Sequence, residues 1–306
     1  MSAAVARPVL LDCDPGHDDA IAILLAAGRP DAIDLRAITT VGGNAELEKV
    51  TLNAQRVMTL AGILDVPVAA GAAGPRRGEL ITALEVHGQT GLDGAELPEP
   101  AVALDDRDAL ALMAERGPAT VVATGPLTNV AALLERAPDA VTEVVWMGGS
   151  TARGNTRPYA EFNALVDPEA AELVFASGVP LTMIGLNLTH QAQATPAVVD
   201  RLRAIGNAPA EAAVGWLGFF ADTYRTVYGL EGPPVHDPCA LALVIDPSLV
   251  RTVEAFVAIE TEGRWTRGAT VVDLHGRLDR APNARVAMEL DVARFWDLVV
   301  GAIAAL

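Results

Sequence analysis

The chain alternates short apolar runs with longer segments in which apolar residues recur every three or four positions. Short runs rich in β-branched residues predict buried strands, and the longer periodic segments predict helices. The predicted strands in the first two thirds of the chain are residues 8–14, 34–43, 66–71, 119–125, 141–149 and 180–188. The predicted helices between them are residues 18–28, 45–61, 107–117 with Asp106 as N-cap, 129–138 and 167–178.

The pattern becomes more helical after about residue 190. It predicts helices at 196–206, 209–228, 237–246 and 292–305, and strands at 253–261, 269–274 and 285–290. Alternating strands and helices are typical of an α/β fold with a largely parallel sheet and helices on both faces. Because the chain has no internal repeat and no convincing linker, we expect one domain over residues 1–306. The long polar stretches 72–105 and 149–166 are expected to be functional loops.

Composition narrows the possible partners. The 306 residues include 22 basic and 39 acidic ones, a formal charge of −17, so a nucleic-acid partner is not expected. Lys49 is the only lysine and lies in a predicted helix, which argues against a P-loop or Schiff-base lysine. No apolar run reaches the roughly 18 residues of a membrane span and no signal peptide is evident, so we expect a cytoplasmic protein with no membrane partner. Cys13 and Cys239 have no metal-type spacing and are expected to be small buried side chains.

Four aspartates surround the end of the first predicted strand: Asp12, Asp14, Asp18 and Asp19. Carboxylates this dense repel one another, and each costs free energy when it leaves water. A metal cation is the usual solution, and oxygen donors suit Ca²⁺ or Mg²⁺ without separating the two. Asp237, which follows His236 and precedes a predicted helix, is either a helix cap or a further ligand.

Other strands place polar groups and glycines at the same edge of the predicted sheet. The second strand ends near residues 40–44, and later strands end near Thr124 and Met147. Because ligands bind beyond the carboxyl ends of parallel strands, these residues are expected to border one site together with the aspartates.

Seven motifs, in order and at characteristic spacings, resemble the inosine–uridine-preferring nucleoside hydrolase family. The similarity extends from about residue 8 to about residue 300. The motifs are DCDPGHDDAIAILLA, ITTVGGN, HGQTGLDG, VVATGPLTNVA, MGG, AEFNALVDPEAA and VHDPCALALVIDP. The resemblance implies one α/β domain with a Rossmann-like core on a mixed, mostly parallel sheet. It also implies hydrolysis of the N-glycosidic bond of ribonucleosides, with Ca²⁺ as cofactor and a homodimer or homotetramer as the assembly.

The resemblance also implies roles for individual residues. Asp14, Asp19 and Asp237 would bind calcium through carboxylates, and Thr124 through its main-chain carbonyl. Asp14 would activate a calcium-bound water, and His236 would protonate the leaving base after an oxocarbenium-like transition state.

Further residues are assigned to the substrate or to support. Asp18 would bind ribose hydroxyls, whereas Asp12 would hydrogen-bond the groups that hold the metal. The remaining substrate-binding candidates are Asn44, His87, Met147, Asn155, Glu161, Phe162, Asn163, Tyr224 and Tyr228. Each has an ordinary structural alternative: a solvated loop residue for the polar ones, a packed core for Met147, Phe162 and the tyrosines. No role is predicted for His17.

Three other functions remain possible on the sequence alone. An aspartate-nucleophile phosphatase shares the Asp-x-Asp strand end but needs a catalytic lysine. A nucleoside-binding sensor would keep the metal site without turnover, and a ribosyl-transferring enzyme would need a basic cradle for pyrophosphate. Within the nucleoside hydrolases, His236 with the tyrosine pair favours the group that acts on both inosine and uridine, although pyrimidine-preferring members share much of this pattern.

Overall fold

Nine strands form one sheet in the described part of the chain, which comprises residues 5–228 and 232–306 without the side chains of residues 222–228. In this computed structural model the strands are β1 (Arg7–Cys13), β2 (Ile33–Thr40), β3 (Val68–Ala70), β4 (Ala119–Ala123), β5 (Val141–Met147), β6 (Leu181–Ile184), β7 (Val250–Ile259), β8 (Thr270–Asp273) and β9 (Ala284–Leu290). Their order is β3-β2-β1-β4-β5-β6-β9-β7-β8. The first six strands and β9 run parallel, whereas β7 pairs antiparallel with β9 and β8.

The strand order reverses beside β1. The chain proceeds from β1 outward to β3 and then returns to β4 on the other side of β1. At the carboxyl end of β1, Cys13 pairs with Thr40 of β2 and Asp12 pairs with Ala123 of β4. Ligands of parallel α/β sheets bind in the crevice at this kind of reversal. The residues that follow β1, β2 and β4 therefore meet at the expected binding edge.

Helices cover both faces of this sheet. They are α1 (His17–Ala27), α2 (Leu47–Ala61), α3 (Leu84–His87), α4 (Ala109–Arg116), α5 (Thr128–Arg136), α6 (Phe162–Val166), α7 (Pro168–Ala176), α8 (Leu186–Thr189), α9 (Pro196–Arg203), α10 (Ala208–Tyr228), α11 (Pro238–Ile245) and α12 (Val292–Ala304). Single 3₁₀ turns lie at Pro138–Ala140 and Pro247–Leu249. Within the described residues, no helix combines the length and apolar composition needed to cross a bilayer.

The sheet separates two apolar cores. Val9 and Leu11 of β1 face the core that contains α1, α2 and α9 to α12, whereas Leu10 faces the core with α4, α5 and α7. This alternation follows from the two-residue period of a strand. Helix α1 is buried over almost its whole length because β2, α2, α10, α11 and α12 surround it. Its uniformly apolar sequence after Asp19 is typical of such a central helix.

The predicted fold class is confirmed, and the differences are local. Asp108 caps α4, accepting the main-chain N–H of Ala111 at 2.7 Å, so the predicted cap Asp106 is wrong. The last residues of the strand predicted at 180–188 form α8 instead. Helices α3, α6 and α8 have only four or five residues, too few to show helical periodicity in a sequence. Cys13 and Cys239 are free and buried, as predicted.

Candidate active site

The carboxyl edge of the sheet borders a cavity of about 440 Å³, within the usual size of small-molecule sites. Both loops that the sequence marks as functional contribute to its wall, through residues 81–87 and 155–163. Eleven of the predicted site residues line it: Asp18, Asn44, His87, Thr124, Met147, Asn155, Glu161, Phe162, Asn163, His236 and Asp237. Asp14 and Asp19 are fully buried and do not line the cavity itself.

Three carboxylates form an acidic cluster, defined here as Asp18, Asp19 and Asp237. Each offers an oxygen, and these oxygens all lie within 4.8 Å of one another. Asp18 and Asp19 begin α1, and Asp237 occupies the N-cap position of α11. The Asp237 side chain makes no capping hydrogen bond, and one of its carboxylate oxygens instead lies within 4.8 Å of those of Asp18 and Asp19. The capping alternative for Asp237 is therefore wrong for its side chain.

Asp14 lies beside this cluster rather than in it, whereas the sequence predicts Asp14 and not Asp18 as a metal ligand. Its main-chain N–H donates to Asp19 Oδ1 at 3.3 Å, and its Oδ2 accepts the main-chain N–H of Asn44 at 2.7 Å. Its Oδ1 is buried and has no hydrogen-bond partner among the described residues. A buried carboxylate oxygen without a donor is a position that a cation would satisfy.

Asp19 is held by four hydrogen bonds. Its oxygens accept the Thr124 hydroxyl at 2.7 Å, the Gly16 main-chain N–H at 3.1 Å, the Asn44 amide at 3.2 Å and the Asp14 main-chain N–H at 3.3 Å. These donors fix the carboxylate relative to the ends of β1, β2 and β4. Asn44, predicted to contact substrate, thus also orders the acids, since its amide donates to the Asp14 carbonyl as well.

Burial raises the pKa of Asp14 and of the three acids of the cluster. Repulsion between these carboxylates adds to the rise for Asp14, Asp18 and Asp237. The pKa of Asp18 is raised to about 7, and those of Asp14 and Asp237 rise well above their ordinary value. The pKa of Asp19 is raised less strongly because Thr124 and Gly16 hydrogen-bond its charged form. A cation would offset this repulsion, and the donors are hard oxygens of the kind Ca²⁺ and Mg²⁺ prefer. The residues present therefore fit a divalent cation.

Asp12 supports the site from the opposite face of the sheet. Its Oδ1 accepts the Thr39 hydroxyl at 2.6 Å and the Asn129 amide at 2.8 Å. Its main-chain carbonyl accepts the N–H of Thr124 at 2.8 Å, which joins the ends of β1 and β4. Burial raises the pKa of Asp12 to about 6 despite these hydrogen bonds. This is the arrangement expected of a residue that positions metal-binding neighbours.

Asn163 connects the Thr124 carbonyl to the end of β5. Its amide donates to the main-chain carbonyl of Thr124 at 2.8 Å and to that of Met147 at 3.0 Å. A carbonyl oxygen has two lone pairs, so Thr124 keeps one for a cation. Asn163 likewise keeps its side-chain oxygen for a ligand in the cavity. Met147 is buried at the cavity wall.

Glu161 is the N-cap of α6. Its carboxylate accepts main-chain N–H groups of Gly149 at 2.8 Å, Asn163 at 2.9 Å and Ala164 at 3.1 Å. Burial raises the pKa of Glu161 to about 7 against these hydrogen bonds. The side-chain oxygen of Asn155 accepts the main-chain N–H of Phe162, the residue after Glu161, at 3.0 Å. The predicted ribose-binding residues thus also determine the fold of the loop that carries them.

Replacing Glu161 with glutamine is expected to lower the free energy of unfolding by about 1–2 kcal/mol. The amide keeps one acceptor oxygen but turns an NH₂ group toward a main-chain donor that the carboxylate now satisfies. Urea denaturation followed by circular dichroism measures this. Glu172→Gln, at an exposed helical position, is the control and should change stability by less than about 0.5 kcal/mol. Equal effects of the two variants would contradict the capping role.

His236 is buried between two partners at the cavity. Its Nδ1 lies 2.7 Å from the Thr189 hydroxyl, and its main-chain N–H donates to Asp18 Oδ2 at 3.3 Å. The ring centroid of His190 lies 5.7 Å away. Burial, and then the His190 charge, lowers the pKa of His236 to about 3. The imidazole is therefore neutral near pH 7.

His87 closes the other side of the cavity together with Phe220, a residue that the sequence did not predict. The His17 and His87 rings stack at 5.0 Å, and Phe220 lies 5.6 Å from His87. Phe220 also lines the cavity and was not predicted. It precedes Tyr224 by four residues, so the helical stripe that suggested the tyrosines already contained it. The side chains of Tyr224 and Tyr228 lie outside the described residues.

Comparison with known proteins agrees with this geometry. Residues 9–297 match the family model described as inosine-uridine preferring nucleoside hydrolase. A pyrimidine-specific ribonucleoside hydrolase RihA from Shigella boydii serotype 4 (strain Sb227) is 47% identical over 304 residues, covering 96% of this chain and 97% of the relative.

Solved structures show the same relationship. A purine-preferring ribonucleoside hydrolase from Gardnerella vaginalis superposes with a TM-score of 0.90 at 32% identity, covering 97% of this chain and 98% of the other. A plant nucleoside hydrolase gives a TM-score of 0.91 at 30% identity, covering 99% and 100%. The chain therefore belongs to the inosine-uridine preferring nucleoside hydrolase family and is a ribonucleoside hydrolase.

Proposed function

We propose that this enzyme hydrolyses pyrimidine ribonucleosides to ribose and free base with a calcium ion bound at the acidic cluster and Asp14. One observation carries the proposal: the unpartnered Oδ1 of Asp14 lies beside buried acids at the edge of a cavity lined by hydroxyl-binding side chains. Asp14, Asp19 and Asp237 would hold the cation with the Thr124 carbonyl. When bound, the cation would lower the pKa of water and so supply a nucleophile near neutral pH.

Asp14 acts as the base in this proposal. Its Oδ2 is held by the Asn44 main-chain N–H, so its position is fixed before substrate binds. It takes one proton from the attacking water as the new C–O bond forms at the ribosyl carbon. The pair of electrons in the broken C–N bond leaves with the base. The buried carboxylates stabilise the positive charge that develops on the ribosyl ring.

Ribose recognition falls to Asp18, Asn163, Asn155 and Glu161. Asp18 reaches the cavity directly and accepts hydroxyl protons, whereas the amides both donate and accept. Phe162 and Met147 supply apolar wall next to them. Together they hold the anomeric carbon beside Asp14, which contributes to the rate by orientation.

His236 stabilises the departing base. Because it is neutral near pH 7, it carries one ring proton and acts by hydrogen bonding to the base rather than by storing an extra proton. The negative charge that develops on the base strengthens this hydrogen bond as the C–N bond breaks, and the released base then takes its proton from water. The Thr189 hydroxyl, at 2.7 Å, orients the ring.

His236→Ala is expected to lower kcat for inosine and uridine by about a hundredfold, because the leaving base loses its hydrogen-bond donor. Initial rates of reducing-sugar release measure the effect. His190→Ala removes a neighbouring ring that does not line the cavity and should stay within about threefold of wild type. A loss of only twofold in the His236 variant would show that another group activates the base.

The pyrimidine preference is supported by the name of the 47% identical relative, pyrimidine-specific ribonucleoside hydrolase. The purine-preferring structural relative is more distant, at 32% identity. In an assay of uridine, cytidine, inosine, adenosine and guanosine, we expect kcat/KM for the pyrimidines to exceed that for the purines by about tenfold or more. Equal or higher purine values would overturn the preference while leaving the hydrolase activity in place.

The phosphatase alternative lacks its catalytic lysine. The Nζ of Lys49 pairs with Glu46 at 3.1 Å on α2, and both side chains are exposed. Neither Arg153 nor Arg157 lines the cavity, so these two arginines do not supply there the pyrophosphate cradle that a ribosyl-transferring enzyme needs. Calcium as the metal, the homo-oligomeric assembly and the cytoplasmic location stay predictions.

A further inference from the structure

The side chain of His17 links the loop 87–93 to the ring of His87. Its Nε2 lies 2.7 Å from the main-chain carbonyl of Asp93, and its Nδ1 lies 2.9 Å from His87 Nδ1. Both rings are buried, and both stack on Phe220. His87 lines the cavity, whereas His17 does not. His17 therefore contacts a substrate-facing side chain from behind.

The loop geometry brings Asp93 to this position. The Asp93 main-chain N–H donates to the His87 carbonyl at 3.1 Å, which closes the loop on itself. Gly88, at a φ of 85°, makes the turn, and a Cβ there would lie 2.2 Å from the Asp93 carboxylate. Gly16 leaves room for the His87 ring, since a Cβ at residue 16 would lie 2.6 Å from its Nδ1. Two glycines thus permit the two histidines to meet.

The position of each proton follows from the chemistry of the partners. A carbonyl oxygen only accepts, so His17 Nε2 carries a proton. Two ring nitrogens at 2.9 Å share one proton, because two lone pairs or two N–H groups would repel. A neutral imidazole carries one ring proton, so the buried His17 ring, which donates from Nε2 to the Asp93 carbonyl, has a bare Nδ1. The shared proton then belongs to His87 Nδ1, and His87 Nε2 is bare.

A main-chain contact competes with the side chain of His17 for the proton state of His87 Nδ1. The main-chain N–H of residue 17 also lies 3.3 Å from His87 Nδ1 and would favour a bare nitrogen there. Without the His17 ring acceptor, the main-chain donor would fix the opposite tautomer of His87. Among the described residues no group hydrogen-bonds His87 Nε2, which leaves it available to a ligand.

We propose that His17 is a positioning residue that makes His87 present a bare, accepting Nε2 to a hydrogen-bond donor on the nucleobase. This rests on the proposed hydrolysis of ribonucleosides. The flat rings of His87 and Phe220, which line the cavity, suit a planar base, and the ribose hydroxyls already have the carboxylate and amide set around Asp18 and Asn163. Uracil offers N3–H and cytosine offers its amino group to such an acceptor.

The first test is the tautomer itself, measured by ¹⁵N NMR of the histidine-labelled, calcium-loaded protein at pH 7, with His87→Phe used for assignment. We expect His87 with a protonated Nδ1 and a bare Nε2. A protonated Nε2 in the wild-type protein would overturn the proposal, whatever the enzyme's activity. The test does not depend on turnover, so absence of ribose release from every nucleoside would count against the proposed function alone.

The second test uses two variants of His17. His17→Phe keeps a ring but removes the acceptor, whereas His17→Asn places an amide oxygen near the position of Nδ1. We expect His17→Phe to convert His87 to the Nε2-protonated tautomer and His17→Asn to preserve the wild-type one. If His87 keeps its proton on Nδ1 in His17→Phe, the positioning role is wrong. If His17→Phe does not fold, the wild-type spectrum and His17→Asn still decide.

Kinetics should follow the tautomer. For uridine, His17→Phe is expected to raise KM about tenfold with a smaller change in kcat, because a protonated His87 Nε2 would then face the N3–H of uracil. His17→Asn should stay within about threefold. The preference for uridine over 3-methyluridine, which lacks N3–H, should fall about tenfold in His17→Phe and in His87→Phe. An unchanged preference in both variants would show that the donor lies elsewhere on the substrate and would overturn the proposed contact.

Discussion

Asp14→Asn is expected to abolish turnover, lowering kcat/KM for uridine by about a thousandfold or more. The asparagine oxygen can still accept the Asn44 main-chain N–H, so the local fold has a reason to persist. The substitution replaces the unpartnered Oδ1 with an NH₂ group that neither binds a cation nor takes a proton. It therefore removes a proposed metal ligand and the proposed base in one step. Reducing-sugar release at saturating calcium measures it.

Asp167→Asn is the matched control, because Asp167 is an equally buried aspartate. Its carboxylate accepts the Thr128 hydroxyl at 2.7 Å and the main-chain N–H groups of Arg76 and Ala170, and it does not line the cavity. This variant should lose stability while keeping kcat/KM within about threefold. An Asp14→Asn enzyme that stays active with calcium bound would end the proposed role of Asp14.

Removing calcium is expected to eliminate activity and to lower Tm by about 2 °C or more, and this loss of Tm should grow with pH. The pKa of Asp18 is raised to about 7, and those of Asp14 and Asp237 are raised well above their ordinary value. A carboxyl group whose pKa is higher in the folded than in the unfolded state stabilises the fold when protonated. That contribution is complete below pH about 4 and is lost as pH rises through about 7. Without a cation, the acidic cluster therefore destabilises the fold most at alkaline pH.

Calcium reverses this dependence because it binds the deprotonated carboxylates. The Tm gained on adding calcium should be larger at pH 8 than at pH 5. The buried histidines, whose lowered pKa values destabilise the fold at acid pH, affect both forms and cancel in this difference. Differential scanning calorimetry with chelator or with calcium at both pH values gives the four melting temperatures. A calcium gain that is equal at both pH values, or larger at pH 5, would contradict binding by these acids.

The sequence predicts the fold class and the enzyme class well because both are recorded in short, local patterns. The runs at β1 and β4 are apolar and bounded by polar residues, and α1 is apolar after its first turn, so their boundaries are clear. Asp18 and Asp19 lie at the start of a helix that follows a strand, which places them at the carboxyl edge of any parallel sheet. The polar residues that follow the other parallel strands lie near these aspartates because all of these strands end at the same edge of the sheet.

The remaining features depend on contacts between distant segments. The neutral state of His236 follows from burial by other elements, which no local pattern gives. The acidic cluster contains Asp18 and not Asp14. This depends on the directions of two side chains that are only four residues apart in the sequence. His17 is unremarkable in sequence because its partners, His87 and Asp93, lie more than 69 residues away.

The central position of α1 limits where this protein can accept substitutions during evolution. Amide exchange at the start of α1 should be as slow as in the innermost strands, since exposing Asp18 and Asp19 means opening the main core. The stretch 81–86, by contrast, lies at the margin of the cavity and should exchange at lower cost. Substitutions there can therefore accumulate without loss of the reactive centre. Base preference is then free to diverge among descendants that all retain the same bond-breaking machinery.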